Sequence, residues 1–206
     1  MIGIFGGSFD PVHLGHLKTA KSIKKELNFE RLFLLPCHDP VHKNSLHYSP
    51  KQRLEMLNLA IKDYPSLEID TREIDRGGSS FMIDTLIELL EEYKENNICL
   101  IIGMDSLISF KTWKKWDQFA SLVHLIVLPR ISDQPSQNSL DTFELAIDKN
   151  DLKIKPNGLL YFSNSELIDI SSTDIRDRIA LNQNLDGLLP SSVTVSYTHL
   201  TLPTKA

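Results

Sequence analysis

The chain has 206 residues, 41% of them hydrophobic and 24% charged, with a formal net charge of −5 at pH 7. That length carries one α/β domain with a full core, and the composition is that of an ordinary globular protein. The acidic balance, 27 Asp and Glu against 22 Lys and Arg, excludes a nonspecific nucleic-acid binder, which needs a basic face, but leaves room for a local basic pocket.

The first apolar run, Ile2, Ile4 and Phe5, breaks at Gly6-Gly7-Ser8, and a helical pattern opens at His13-Leu14-Gly15-His16. This order predicts strand, glycine turn, helix N-terminus. Backbone N–H groups and the helix dipole collect phosphate at such a junction, and Gly6 and Gly7 let the main chain approach an anion without a Cβ in the way. The helix of residues 14–27 places Leu17, Ala20, Ile23, Lys24 and Leu27 on one stripe. A strand follows at 31–35. Ser49 and Pro50 then cap and start a helix over 50–61 with Leu54, Leu57 and Ile61 on its stripe. Residues 80–95 read as a helix carrying Phe81, Leu86, Leu89, Leu90 and Tyr93.

Strands are predicted at 98–102, 122–128 and 159–162. The near-continuous apolar runs at 32–35, 98–102 and 122–128 have the pattern of parallel strands buried on both faces. Residues 131–158 are polar, with Pro135 and Pro156, and read as a surface excursion holding a short helix near 140–148. Strand–helix alternation implies a single doubly wound, Rossmann-like parallel sheet. Ligands bind such a sheet at the carboxyl ends of its strands, where strand order reverses. No apolar run approaches the roughly 20 residues that span a bilayer, and no basic leader precedes the first strand. No membrane partner and a cytoplasmic location are expected. Cys37 and Cys99 lie far apart without a Cys-x-x-Cys, so neither a zinc site nor a disulfide framework is suggested.

Several positions carry chemistry. His13 and His16 share one helical face and can touch the same phosphates; taken alone, two such histidines could equally be solvated. The turn is neither a Walker A loop nor the Gly-x-Gly-x-x-Gly fingerprint. Lys43, in Pro36-Cys37-His38-Asp39-Pro40-Val41-His42-Lys43, is a point charge suited to phosphate, although a lone lysine is more often solvated. The histidines of this loop could suggest a metal, but no carboxylate or thiolate spacing supports one. Asp105, in Ile102-Gly103-Met104-Asp105-Ser106, follows a buried strand and could accept ribose hydroxyls or cap the next helix. Trp113 offers an aromatic face to a flat ring. Ser171, Ser172 and Thr173 can cap a helix whose N–H groups also bind phosphate, and Arg176 falls one turn in.

The stretch Gly-Gly-Ser-Phe-Asp-Pro-Val-His-x-Gly-His resembles the His-x-Gly-His signature of the nucleotidylyltransferase superfamily, in the form found in bacterial nicotinate-mononucleotide adenylyltransferases. The Ile-Gly-x-Asp-Ser turn at 102–106, Trp113 and the Ile-Ser-x-Thr-x-Ile-Arg motif at 170–176 are similar to that family's, and the resemblance runs over roughly residues 1 to 190. It implies transfer of AMP from ATP to nicotinate mononucleotide, giving deamido-NAD and pyrophosphate, with Mg2+ carried on ATP and no metal held by protein ligands. The implied catalytic residues are His13, His16, Lys43 and Arg176. ATP would contact Gly6, Gly7, Ser8, Phe9, His16, Gly103, Asp105, Ser171, Ser172, Thr173 and Arg176. The pyridine nucleotide would contact Ser8, Lys43, Thr85 and Trp113.

Two departures stand out. Val41 replaces a proline of the loop ending Pro-Pro-His-Lys/Arg, and Lys114 stands where many relatives carry an aromatic residue or His. Other acceptors within the superfamily, phosphopantetheine or nicotinamide mononucleotide, and a noncatalytic nucleotide sensor are the competing readings. The domain is expected to span residues 1–193. Residues 194–206 have no helical periodicity and read as an atypical, disordered tail, either foreign to the family pattern or native. The sequence leaves open whether the chain forms a homo-oligomer.

Overall fold

Strands that are apolar on both faces need cover on both faces, and the helices between them provide it. The computed structural model describes residues 1–41, 46–128, 141–165, 168 and 170–194. In chain order the elements are β1 (Ile2–Gly7), α1 (Leu14–Leu27), β2 (Arg31–Pro36), β3 (Asp39–Pro40), α2 (Pro50–Ala60), β4 (Glu68–Ile69), α3 (Arg72–Arg76) and β5 (Ser79–Ser80). They continue with α4 (Met82–Glu92), β6 (Ile98–Gly103), α5 (Met104–Ile108), β7 (His124–Leu128), β8 (Glu144–Leu145), α6 (Asp151–Ile154), β9 (Leu159–Phe162) and α7 (Ser172–Ala180). The main sheet has the order β4-β2-β1-β6-β7-β9-β8, and its pairings are parallel. A short second sheet pairs β3 with β5. Among the described residues no helix is long and apolar enough to cross a membrane.

Alternation along the strands divides the core in two. Leu32 and Leu34 of β2, Cys99 and Ile101 of β6, and Ile126 of β7 meet Leu17, Ala20 and Ile23 of α1 and Met56 and Leu57 of α2. On the other face, Ile4, Leu35, Leu100 and Val127 meet Ile83, Leu86 and Leu89 of α4, with Phe110 and Phe119. Burying each Leu, Ile, Val, Phe or Met among them contributes about 1.5–3 kcal/mol relative to leaving it exposed. β1 lies between β2 and β6, so the chain leaves it in one direction across the sheet and later returns on its other side. The switch point is therefore the crevice beyond the ends of β1 and β6, at Gly7 and Gly103.

Three expectations are corrected. The helix expected near 140–148 is not formed: Glu144 and Leu145 pair instead with Leu159 and Leu160. The Glu144 and Ala146 N–H groups donate to Gly158 and Leu160 carbonyls at 2.9 and 2.8 Å. The open edge of β9 thus wins over a local helical pattern, and the short helix falls later, at Asp151–Ile154. Second, the buried stripe of α2 is Arg53, Met56, Leu57 and Ala60, one step round from Leu54 and Ile61. Third, Asp105 does not cap α5; Gly103 occupies that place and Asp105 lies in the first turn.

Arg53 is fully buried. Its guanidinium donates to the carbonyls of Tyr48 at 3.3 Å, Ser8 at 2.7 Å, Cys37 at 2.7 Å and His38 at 2.9 Å. One side chain thus ties the loop after β1, the loop after β2 and the entry to α2. Replacing Arg53 with Met removes the donor to these carbonyls, each unsatisfied buried group costing about 1–3 kcal/mol. Arg53→Met is expected to lose about 3 kcal/mol or more in urea unfolding, with Arg53→Lys recovering only part. A loss under about 1 kcal/mol would contradict the anchoring role.

Candidate active site

The start of α1 is capped by a histidine pair. His13 is the N-cap, and its Nδ1 accepts the His16 N–H at 3.3 Å, while His16 Nδ1 accepts the His13 N–H at 3.4 Å. The rings stack with centroids 3.6 Å apart. An Nδ1 that accepts a hydrogen bond is unprotonated, so the neutral ring carries its proton on Nε2. The cap therefore sets both tautomers, with the proton of each neutral ring on Nε2. Burial pushes the His13 pKa down to about 4. Gly15 is required here, because a Cβ would lie 2.9 Å from His13 Nδ1 and 3.2 Å from the Ile168 carbonyl.

The helix start is itself partly engaged. The Leu14 N–H donates to the Leu188 carbonyl at 2.9 Å. Phe9, buried at φ 48°, sets its ring edge against His16, with centroids 5.0 Å apart.

A cavity of about 810 Å³ opens over these groups and reaches across to α7. Gly6, Ser8, His13, His16, Gly103 and Asp105 line one side; Ser171, Ser172, Thr173 and Arg176 line the other. Two carbonyls lock the sides together: Ser172 Oγ donates to Pro11 at 3.0 Å, and Arg176 Nη1 to Asp10 at 2.7 Å. Arg176 Nη2 also donates to Thr173 Oγ1 at 3.0 Å. The Ser171 side chain caps α7 by accepting the Asp174 N–H at 3.0 Å. The buried Asp10 carboxylate accepts the N–H groups of His47 and Tyr48 at 2.9 and 2.8 Å and lies 3.7 Å from Arg176 Nη1. Among the described residues, no group of three or more His, Cys, Asp or Glu side chains could together hold a metal.

A second cavity, of about 440 Å³, lies on the other side of the strand ends. Gly7, Phe81, Met82 and Trp113 help to line it. Trp113 is braced by Phe110 and Phe119, with ring centroids at 5.1 and 5.9 Å. Gly6, Ser8, His16, Gly103 and Asp105 border both cavities. The two spaces therefore meet at the end of β1, beside His16.

Most of the described residues singled out from the sequence converge here; Phe9 and Thr85 do not. Phe9 lies behind His16 and lines neither cavity. Thr85 is fully buried; its hydroxyl donates to Glu73 at 2.7 Å and accepts from Arg76 at 2.9 Å. Glu73, not Thr85, borders the second cavity. Lys43 lies outside the described residues. Sequence reasoning missed Asp10, Glu73 and Arg53. Arg53 was readable as the first member of an apolar 53, 56, 57, 60 stripe, where an arginine is out of place.

The buried neutral His13 links the cap to pH. Its folded pKa is below the unfolded value, so the unfolded chain binds more protons between pH 6.5 and about 4. Stability is complete above pH 6.5 and is lost as pH falls through that window. Relative to the wild type, His13→Asn, which keeps a capping side chain, should reduce this acid loss by on the order of 3 kcal/mol in urea titrations. Equal acid sensitivity in both proteins would contradict a buried, neutral His13.

The chain matches the Cytidylyltransferase-like family over residues 4–178. It is 42% identical over 193 residues to a protein of Vesicomyosocius okutanii named "Probable nicotinate-nucleotide adenylyltransferase", covering 94% of this chain and 91% of that one. It is also 42% identical over 196 residues to the protein of that name from Psychromonas ingrahamii, covering 93% and 92%. The fold is similar to that of Plasmodium falciparum nicotinic acid mononucleotide adenylyltransferase, solved in complex with NaAD, with a TM-score of 0.73 at 15% identity over 97% of this chain and 96% of that one. The glycine turn after β1, the paired histidines and these likenesses agree: the chain belongs to the Cytidylyltransferase-like family, and within it to the nicotinate-nucleotide adenylyltransferases.

Proposed function

We propose that the chain transfers AMP from ATP to nicotinate mononucleotide, releasing pyrophosphate and forming deamido-NAD, as a cytoplasmic step of NAD synthesis. The observation that carries this reading is the meeting of two cavities at His16, Gly6 and Ser8. Such a junction lets two polyanions bind from opposite sides with their reacting phosphates adjacent.

The attacking group is the phosphate oxygen of the mononucleotide. A phosphomonoester has a second pKa near about 6, so it is largely ionised at neutral pH and needs no general base. Its oxygen bonds to the α-phosphorus of ATP; the bond from that phosphorus to the bridging oxygen breaks, and the electron pair leaves with pyrophosphate. Catalysis is then alignment and stabilisation of developing charge. The Nε2–H groups of His13 and His16 and the guanidinium of Arg176 serve as donors in the first cavity, and Lys43 is assigned to the same phosphates. Ser171, Ser172 and Thr173 present the helix start of α7 to the triphosphate, and Asp105 accepts from ribose. Mg2+ enters as part of the ATP substrate, neutralising part of the triphosphate charge; the Asp10 carboxylate is already committed to two N–H groups.

Trp113 forms one wall for the pyridine ring, and Ser8 lies between the two substrates. Thr85 acts through Glu73 and does not touch the substrate itself.

Pyrophosphate release should be measured with ATP and Mg2+ against nicotinate mononucleotide, nicotinamide mononucleotide and phosphopantetheine. Strong preference for the first supports the proposal, preference for another acceptor overturns the substrate, and ATP binding without turnover favours a sensor. His16→Ala is expected to slow turnover at least about a hundredfold while the variant stays folded, its melting temperature falling by no more than the loss of one capping hydrogen bond. Near-normal turnover in that folded variant would remove His16 from its role.

A further inference from the structure

The second cavity has an unusual electrostatic balance. Lys114 is the one Lys or Arg among the described residues that line it. Its ammonium lies 2.9 Å from Asp84 Oδ2 and 4.3 Å from the centroid of the Phe81 ring. Phe81 and Lys114 border the cavity together with Trp113. The ammonium is thus held against an aromatic wall by a carboxylate from the first turn of α4. Held this way, it is a fixed positive charge at the rim of a ring-sized space. An ammonium has three donors, and Asp84 accepts from one of them.

A buried carboxylate borders the same space. Glu73 is 2% exposed and accepts from Thr85. Asp105 borders it too, so an anionic ligand entering the cavity meets two carboxylates, and Lys114 is the one Lys or Arg among the described lining residues that offsets them.

We propose that Lys114 is a specificity-determining residue of the second cavity, selecting an aromatic ring that bears a carboxylate over the same ring bearing a carboxamide. This rests on the adenylyl-transfer reading above. The acid and the amide share size and shape, so hydrophobic contact cannot separate them. A fixed cation separates them by charge alone. Asp84 positions the ammonium through a hydrogen bond that an asparagine oxygen can also accept, while its negative charge tempers the field.

The test is the ratio of kcat/KM for nicotinate mononucleotide to that for nicotinamide mononucleotide. Lys114→Met should lower it about tenfold, the size expected for one partly solvated charge pair, by slowing the acid while sparing the amide. Lys114→Arg should stay within about threefold of the wild type. Asp84→Asn, which keeps an oxygen to hold the ammonium but removes the opposing charge, should raise the ratio. A purely structural latch predicts the opposite pattern: Lys114→Met and Asp84→Asn would then affect both substrates alike and leave the ratio flat, which overturns the proposal. If Lys114→Met does not fold, Asp84→Asn decides alone, since an unchanged or falling ratio overturns it as well. An active wild-type enzyme with flat ratios in the variants removes only the Lys114 role. A wild type that uses neither pyridine nucleotide removes the adenylyl-transfer reading and this inference with it.

Discussion

A guanidinium with no water around it must spend its donors on the protein, and Arg53 spends them on the loops that make the site. Its Nη atoms reach Ser8 beyond β1 and Cys37 and His38 beyond β2, while its Nε reaches Tyr48 ahead of α2. Loops have many conformations and little intrinsic preference among them. A buried donor set of fixed planar geometry selects one. Asp10 complements this from the other side, its carboxylate gathering two N–H groups from the segment before α2. The walls of the first cavity are thus set by buried hydrogen bonds before any nucleotide arrives.

That preorganisation matters because the reaction asks the protein for little covalent chemistry. Two anions must be held close, and charge must be met where it develops. In the proposed reaction the histidine cap is assigned to both needs. Each ring uses Nδ1 to complete the helix cap, which places its proton on Nε2. Two imidazoliums stacked at 3.6 Å would repel, so burial that keeps His13 neutral agrees with the geometry. Recognition by neutral donors on a rigid helix start costs less desolvation than burying two cations.

The far wall has its own anchor. Glu26 of α1 accepts from Tyr161 at 3.0 Å, from Ser163 at 2.6 Å, from the Asn164 N–H at 3.0 Å and from Ser165. These bonds to the anion outweigh desolvation and hold its pKa below the usual range. They fix the chain leaving β9, which leads to Ile170 and Ser171 at the cavity. A second buried histidine braces the same region: His124 of β7 bonds the Lys155 carbonyl at 3.0 Å and accepts the Leu159 N–H at 3.2 Å.

The sequence by itself determined what depends on neighbours in the chain. Apolar runs bounded by helical stripes specify buried parallel strands, and Gly6-Gly7 followed by His13 and His16 specifies a glycine turn into a helix start, because each requires only local geometry. Ser49 and Ser171 cap α2 and α7 as their positions suggested. Tertiary structure decided what depends on distant partners. The segment at 144–145 became a strand because the β9 edge offered hydrogen bonds. Thr85 turned inward because Glu73 and Arg76 lie beside it. Arg53 could be buried only because four carbonyls from separate loops converge on it. The meeting of two cavities at His16 arises from strand order, which no local pattern encodes: β1 and β6 are far apart in the chain and adjacent in the sheet.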